Sequence, residues 1–285
     1  MFSNFSVHED TLGITYRNDN PVGSAFHSHT YYEVYYFHSG SCNYLIGGSI
    51  YMLQPGDLIL MNGMTLHCPK VDTSVPYIRT TVHFEPAVLK PFLELPHAVN
   101  MLQPFQELKN FKLSLRGREK EEAERILLEM HTHHTSGGII GYNRLHLAFV
   151  DLLYFIHEQC LRTQRTRREF TSEKEKHVQR IVSFLEEHYA EDLQLEHLQK
   201  HLNFSKFYLS KIFKEITGLT IFHFIYRRRI NEAKTLFMHD PTQSVTEVCL
   251  QVGFKHLAHF SRLFKQQIGL TPEKYKKIIR DSLST

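Results

Sequence analysis

The sequence has little that would place it in a membrane, outside the cell or among nucleotide-using enzymes. Its four cysteines, Cys42, Cys68, Cys160 and Cys249, show no paired spacing, so a reduced cytoplasmic location fits better than a disulfide framework. Long apolar runs are missing. The most apolar stretch, Leu145 to Cys160, is interrupted by His146, Asp151 and His157, which argues against a membrane span. The opening residues show no basic start followed by an apolar run, so no secretory signal is expected. A glycine-rich phosphate cradle and a nucleophile elbow are also lacking. The N-terminal part does not alternate strands with helices, as a phosphate-receiver domain would require.

What is present is ordinary in bulk and uneven in detail. The 285 residues are 42% hydrophobic and 22% charged, enough apolar surface for about two folded domains and too much for a disordered chain. The net charge of +3 hides an asymmetry. Residues 171–285 hold 18 Lys and Arg against 13 Asp and Glu, whereas residues 1–170 hold 15 against 17. A basic C-terminal part suggests a polyanionic partner.

The first 85 or so residues read as short strands, such as Tyr32 to Phe37, Cys42 to Ile46, Ile50 to Leu53, Leu58 to Met61 and Tyr77 to Phe84. Turns at Gly47-Gly48-Ser49 and Pro55-Gly56-Asp57 separate them, predicting a small barrel or sandwich. Helical periodicity follows Glu85-Pro86. The Leu145 to Ile156 stripe reads as core or as a dimer face. Residues 162–176 are almost devoid of apolar side chains and read as a solvated linker or helix extension.

The C-terminal part contains a repeat. LSKIFKEITGLT, from Leu209, and FSRLFKQQIGLT, from Phe260, recur at an offset of 51 residues. Each reads as a helix-turn-helix. In the first, Asn203 and Phe204 make the turn, Ser205 caps the next helix, and Leu209, Ile212, Phe213 and Ile216 face the core. Lys206, Phe207, Ser210, Lys211 and Lys214 are the candidate DNA contacts of that helix. In the second, Gly253-Phe254 makes the turn, Phe260, Leu263, Phe264 and Ile268 point inward, and His256, His259, Arg262 and Lys265 are the candidate contacts. Arg262 has the chemistry for bidentate guanine recognition. Ile221 to Phe237, with Arg227, Arg228 and Arg229, reads as a rigid connector that spaces the two recognition helices about one DNA turn (~34 Å) apart.

The pattern Gly253-Phe254, Phe260-Ser261-Arg262-Leu263-Phe264-Lys265, Gly269-Leu270-Thr271-Pro272 and Tyr275, together with Arg229-Ile230-Asn231-Glu232-Ala233, closely resembles the signature of the AraC family of bacterial transcription regulators over residues 180–278. The resemblance implies a non-enzymatic cytoplasmic regulator that binds double-stranded promoter DNA, answers to a small-molecule effector such as a sugar or related metabolite, pairs as a homodimer, and contacts RNA polymerase if it activates. The implied class is α+β: a cupin-like β-barrel at 1–85, a helical dimerisation region and linker at 86–170, and a tandem helix-turn-helix domain at 171–285.

His27-Ser28-His29, Glu33 and Gly40 resemble the first cupin motif, and Gly56-Asp57 with His67 resembles part of the second. On one strand alternate residues point the same way, so His27, His29 and Glu33 are expected to face the barrel interior with Tyr31 and Tyr35, and His27, His29, Glu33, Tyr35 and His67 are the candidate effector contacts. In metal-binding cupins the positions of His27, His29, Glu33 and His67 hold the metal. Hydrogen bonding to loops or effector, with no cofactor, is the expected role here, and plain structural polar residues are a third reading. A metal-dependent cupin enzyme, a dioxygenase or isomerase fused to a DNA-binding unit, is the alternative function. The His131, His133 and His134 cluster reads as a solvated helix end.

Overall fold

The computed structural model describes residues 12–20, 27–29, 31–108, 110–163 and 173–282. Seven strands come first: β1 (Leu12–Asn18), β2 (Tyr32–Ser39), β3 (Cys42–Ile46), β4 (Ser49–Met52), β5 (Asp57–Asn62), β6 (His67–Val71) and β7 (Ile78–Phe84). The short helices α1 (Lys90–Leu93) and α2 (Gln103–Glu107) lead to β8 (Phe111–Ser114) and a hairpin of α3 (Gly117–Ser136) and α4 (Gly138–Thr163). Seven further helices follow: α5 (Glu173–His188), α6 (Leu195–Leu202), α7 (Lys206–Thr217), α8 (Ile221–His239), α9 (Val245–Gln251), α10 (Leu257–Ile268) and α11 (Pro272–Ser282).

The class is α+β, but the strands do not close into a barrel. They form a five-stranded sheet, β1-β7-β2-β5-β8, and a separate three-stranded sheet, β4-β3-β6. All pairings are antiparallel. A closed barrel needs an unbroken ladder; here two ladders stack over a shared layer of Tyr35, Phe37, Tyr44, Ile46, Ile59 and Met61. The larger sheet also reaches past residue 85, because β8 pairs with β5. Gly47, at φ +52°, turns the β3–β4 hairpin as its glycines predict.

Each sheet has a second covered face, and this sets the layer order. Val34, Tyr36, Leu58, Leu60, Val82 and Phe84 face away from the small sheet and pack on α3 and α4. β2 is therefore apolar on both sides, which is why it reads as a continuous run rather than an alternating one. By length and composition α4 is apolar enough to cross a membrane, its interruptions notwithstanding. It nevertheless serves as a core helix, with Phe149, Leu152, Leu153 and Ile156 buried under the sheet and the Phe149 and Phe84 rings 4.8 Å apart.

The small sheet turns its outer face to the C-terminal helices. Leu45, Ile50, Leu66 and Cys68 share one core with Val178, Ile181, Leu209, Phe213 and Phe224. The expected linker divides: Arg162 and Thr163 end α4, Glu173 begins α5, and residues 164–172 lie outside the described set.

Candidate functional site

The histidine motif does not lie on one strand. His27 sits in an isolated bridge to His67, His29 is in irregular chain, and β2 begins only at Tyr32. The side chains converge all the same. His27 and His67 have ring centroids 4.1 Å apart, His29 and His67 5.0 Å. The ligand atoms of the three imidazoles lie within 4.8 Å of one another. Beside them opens a cavity of about 250 Å³, with Glu33 and Tyr35 on its β2 wall.

Several lining residues were not singled out in the sequence. Arg79, Thr81 and His83 alternate along β7 into the cavity, while Thr80, Val82 and Phe84 are buried on the opposite face. His83 stands directly across from Glu33 in the β2–β7 register. The period-two alternation in Arg79 to Phe84 carried this signal, but the register that pairs it with Glu33 is a long-range fact. Tyr35 and Tyr77 join through their hydroxyls at the floor.

The electrostatics of the cluster follow from its hydrogen bonds. Burial pushes the Glu33 carboxyl up, yet hydrogen bonds from His29 and His83, each 3.2 Å from Oε2, outweigh it and hold the group well below the usual carboxylate range. His67 Nδ1 lies 2.8 Å from the Thr65 carbonyl, so Nδ1 carries the proton and donates it. Its Nε2 is then a buried lone pair without a hydrogen-bond partner among the described residues. Such an atom suits a ligand hydroxyl or a divalent metal, and His27, His29, His67 and Glu33 are the residues that would hold the latter.

A second buried histidine is placed to make stability depend on pH. His38 accepts from Arg17 at Nδ1 (3.4 Å) and faces the Thr80 hydroxyl through Nε2 (2.8 Å), an arrangement suited to the neutral ring. Burial, followed by the Arg17 charge, pushes its pKa down to about 4. Between that value and the unfolded value near 6.5, the unfolded chain binds the extra proton, so stability falls as pH drops. The expected loss by pH 5 is about 2 kcal/mol from His38, with His67 acting in the same direction. Urea unfolding at pH 7.5 and pH 5 measures this, and His38→Gln should flatten the dependence. A wild-type stability unchanged between the two would contradict the assignment.

The repeat forms as its residues dictate. Asn203 takes the left-handed conformation at φ +58°, and the Ser205 hydroxyl accepts from the Tyr208 amide at 3.2 Å. Leu209, Ile212, Phe213 and Ile216 are buried. Lys206, Phe207, Ser210, Lys211 and Lys214 are exposed, Phe207 at 76%. Lys206 is tied to Glu196, and the Lys211 ammonium lies 6.0 Å from the Phe207 ring. In the second unit Phe260 and Phe264 are fully buried, with Leu263 and Ile268 packed half-buried beside them. His256, Arg262 and Lys265 are exposed. His259 is half-buried, its ring edge-on to Tyr226 and Phe254.

α8 joins these units and touches the sensor. Its 19 residues span about 28 Å. Arg228 and Arg229, both on the expected connector, are spent internally. Arg228 binds Glu186 and Glu232, each at 2.7 Å. Arg229 donates to the carbonyls of Tyr189 (2.6 Å), Glu191 (2.7 Å) and Gly253 (2.6 Å), binding the end of α5 to the turn of the second unit. Asn231 reaches the other way. It accepts from the Ser28 hydroxyl (2.6 Å) and donates to the Met64 carbonyl (3.2 Å), while Lys234 donates to Ser28 (2.6 Å). Ser28 lies between His27 and His29, so the connector grips the chain that carries the cluster.

Comparisons agree with both halves. The family described as AraC-like ligand binding domain matches residues 10–137, and a helix-turn-helix domain family matches residues 198–278. Regulatory protein PocR of Salmonella typhimurium is 27% identical over 159 residues, covering 50% of this chain and 52% of PocR. The Msm operon regulatory protein of Streptococcus mutans is 31% identical over 114 residues, covering 40% and 41%. The solved C-terminal domain of AraT, a response regulator from Geobacillus stearothermophilus, is 28% identical over 38% of this chain and 88% of that one, with a TM-score of 0.35. The chain spans about half the length, or less, of these curated relatives. With an AraC-like ligand binding domain ahead of a helix-turn-helix domain, the chain belongs to the AraC family of transcription regulators.

Proposed function

We propose that the protein is a cytoplasmic, effector-responsive regulator that reads promoter DNA with α7 and α10 and senses a small polar molecule, a sugar or related metabolite, in the cavity lined by His27, His29, Glu33 and Tyr35, with His67 packed behind the two histidines. The observation that carries this reading is the grip of Asn231 and Lys234 on Ser28. An effector that draws His27 and His29 together shifts Ser28, and α8 receives that shift between the two recognition helices. The effector acts only through a difference in its affinity for the two arrangements. The test is promoter affinity with and without effector, measured for wild type and Asn231→Leu. The variant should still bind DNA while losing most of the effector response; a full response in Asn231→Leu would contradict the coupling.

The partner is a second copy of the chain. Ile140, Leu147, Tyr154 and Leu161 recur every seven residues along α4, and all four are exposed. A coiled-coil seam has two apolar positions per heptad, and this stripe supplies one of them on a face that a single copy leaves in water. Leu147→Glu should shift the protein from dimer to monomer in sedimentation at micromolar concentration. An unchanged sedimentation coefficient would remove α4 from the interface.

The His67 Nε2 lone pair, aimed into a three-imidazole cluster, favours one second reading, in which a divalent metal occupies the same cavity. Elemental analysis of purified protein separates the two. Stoichiometric metal lost in the His27→Ala, His67→Ala double variant would support the metal, and with it the case for an enzymatic sensor.

A further inference from the structure

The histidine cavity has a second end, inside the sandwich and away from α8. Arg79, Thr81 and His83 line it from β7, and Arg79 lies about 13 Å along that strand from His83, which faces Glu33. Among the described lining residues Arg79 is the one Lys or Arg and Glu33 the one carboxylate. The two do not pair. Glu33 is answered by His29 and His83, each 3.2 Å from Oε2. Arg79 is half-buried, and among the described residues it meets only neutral groups. Its Nη1 donates to the Asn18 and Asn20 carbonyls, both at 3.1 Å, and its guanidinium carbon lies 5.0 Å from the Tyr77 ring centroid. The other edge, Nε and Nη2, has no hydrogen-bond partner among the described residues. That edge carries two parallel N–H groups, the shape that grips a carboxylate with two hydrogen bonds.

We propose that the effector of this cavity is a sugar acid, a polyhydroxy monocarboxylate whose carboxylate pairs with Arg79 and whose hydroxyls reach toward the histidines. The inference rests on the reading of this cavity as the effector site and names what it takes. One unanswered cation calls for one carboxylate. A second negative group at the far end would meet the Glu33 charge, and an ammonium is not required there because His29 and His83 already answer it. The Thr81 and Tyr31 hydroxyls have no hydrogen-bond partner among the described residues and are left for the hydroxyls of the ligand. Tyr44, Tyr77 and Pro69 offer apolar surface to its carbons. At about 250 Å³ the cavity is smaller than the roughly 300–1,000 Å³ of drug-sized sites, so the skeleton is short.

Isothermal titration calorimetry on the full chain tests this, with gluconate, glucuronate, their neutral amides, glucose, glutamate and octanoate as probes. Gluconate or glucuronate should bind one per chain, at least about tenfold more tightly than glucose. The matching amide, which keeps the skeleton and loses the charge, should bind at least about tenfold more weakly than the acid, a reading that needs no variant. Arg79→Gln should erase the preference for the acid. The proposal is overturned if glucose or the amide binds as tightly as the acid, if Arg79→Gln keeps the preference, or if octanoate or glutamate binds better than both sugar acids. Glucose binding without the acids would remove the sugar acid and leave the effector cavity standing; no binding by any probe would overturn both.

Discussion

Arg229→Met should lower the unfolding free energy by about 3–5 kcal/mol and abolish tight DNA binding. Three carbonyls, of Tyr189, Glu191 and Gly253, converge on one buried guanidinium. Hydrogen bonds to a charged group are worth about 1.5–3 kcal/mol each, and methionine leaves all three acceptors without that partner. Removing a buried charge returns part of its desolvation cost, so the total falls below the simple sum. The loss is geometric as well as energetic, because these bonds hold the second unit to the end of α5. Gly253 fixes the same joint from the other side. It sits at φ +90°, and a Cβ there would lie 2.3 Å from the Ala190 carbonyl oxygen. Gly253→Ala should therefore act in the same direction, through strain of about 1–3 kcal/mol or more. Urea melts followed by circular dichroism measure both variants. A change below about 1 kcal/mol in Arg229→Met would show that the joint is held by something else.

Arg262→Ala should weaken binding to a specific promoter site by about ten- to a hundredfold, with much smaller loss on random DNA. Arg262 is exposed at the equivalent place in the second repeat to Lys211 in the first, on the face opposite Phe260 and Phe264. A guanidinium there can meet a guanine edge with two parallel hydrogen bonds, which an ammonium cannot. The Lys211→Ala loss should be smaller and more salt-sensitive, since a point charge mainly neutralises phosphate. Lys206→Ala should matter less still, because its ammonium is already engaged by Glu196. The measurement is fluorescence anisotropy on specific and scrambled duplexes across a salt series. Equal loss on both duplexes would demote Arg262 to a phosphate contact.

The helix-turn-helix units were the most legible part of the sequence because their signals are local. Asn203, Ser205, Gly253 and Gly269 mark turns and caps within a few residues of the helices they bound, and the apolar spacing of Leu209 to Ile216 needs no partner to be read. The sensor was legible in its residues but less so in its geometry. His27, His29, Glu33 and His67 do meet, yet the first two lie outside β2, His27 held by a bridge to His67 of β6 and His29 by the Gly63 carbonyl, neither of which spacing alone can show. Two stacked sheets and a closed barrel share one pattern of short strands and turns, so the choice between them rests on which edges pair. β8 is four residues long and carries too little alternation to declare itself. The sequence places the arginine triplet on the connector but assigns it no partner, because the carbonyls that consume Arg229 lie 24 to 40 residues away. The Ser28–Asn231 contact, 203 residues apart in the chain, is equally invisible without coordinates.

The central claim is that α7 and α10, held by α8, enter successive major grooves on one side of a duplex. Hydroxyl-radical footprinting of the full chain on a sequence selected from random DNA tests it most directly. The account predicts two protected stretches per protomer, about 10 base pairs apart, with Arg262→Ala erasing one and Lys211→Ala weakening the other. A single protected stretch unaffected by either change, or no sequence enriched over the starting pool, would contradict it.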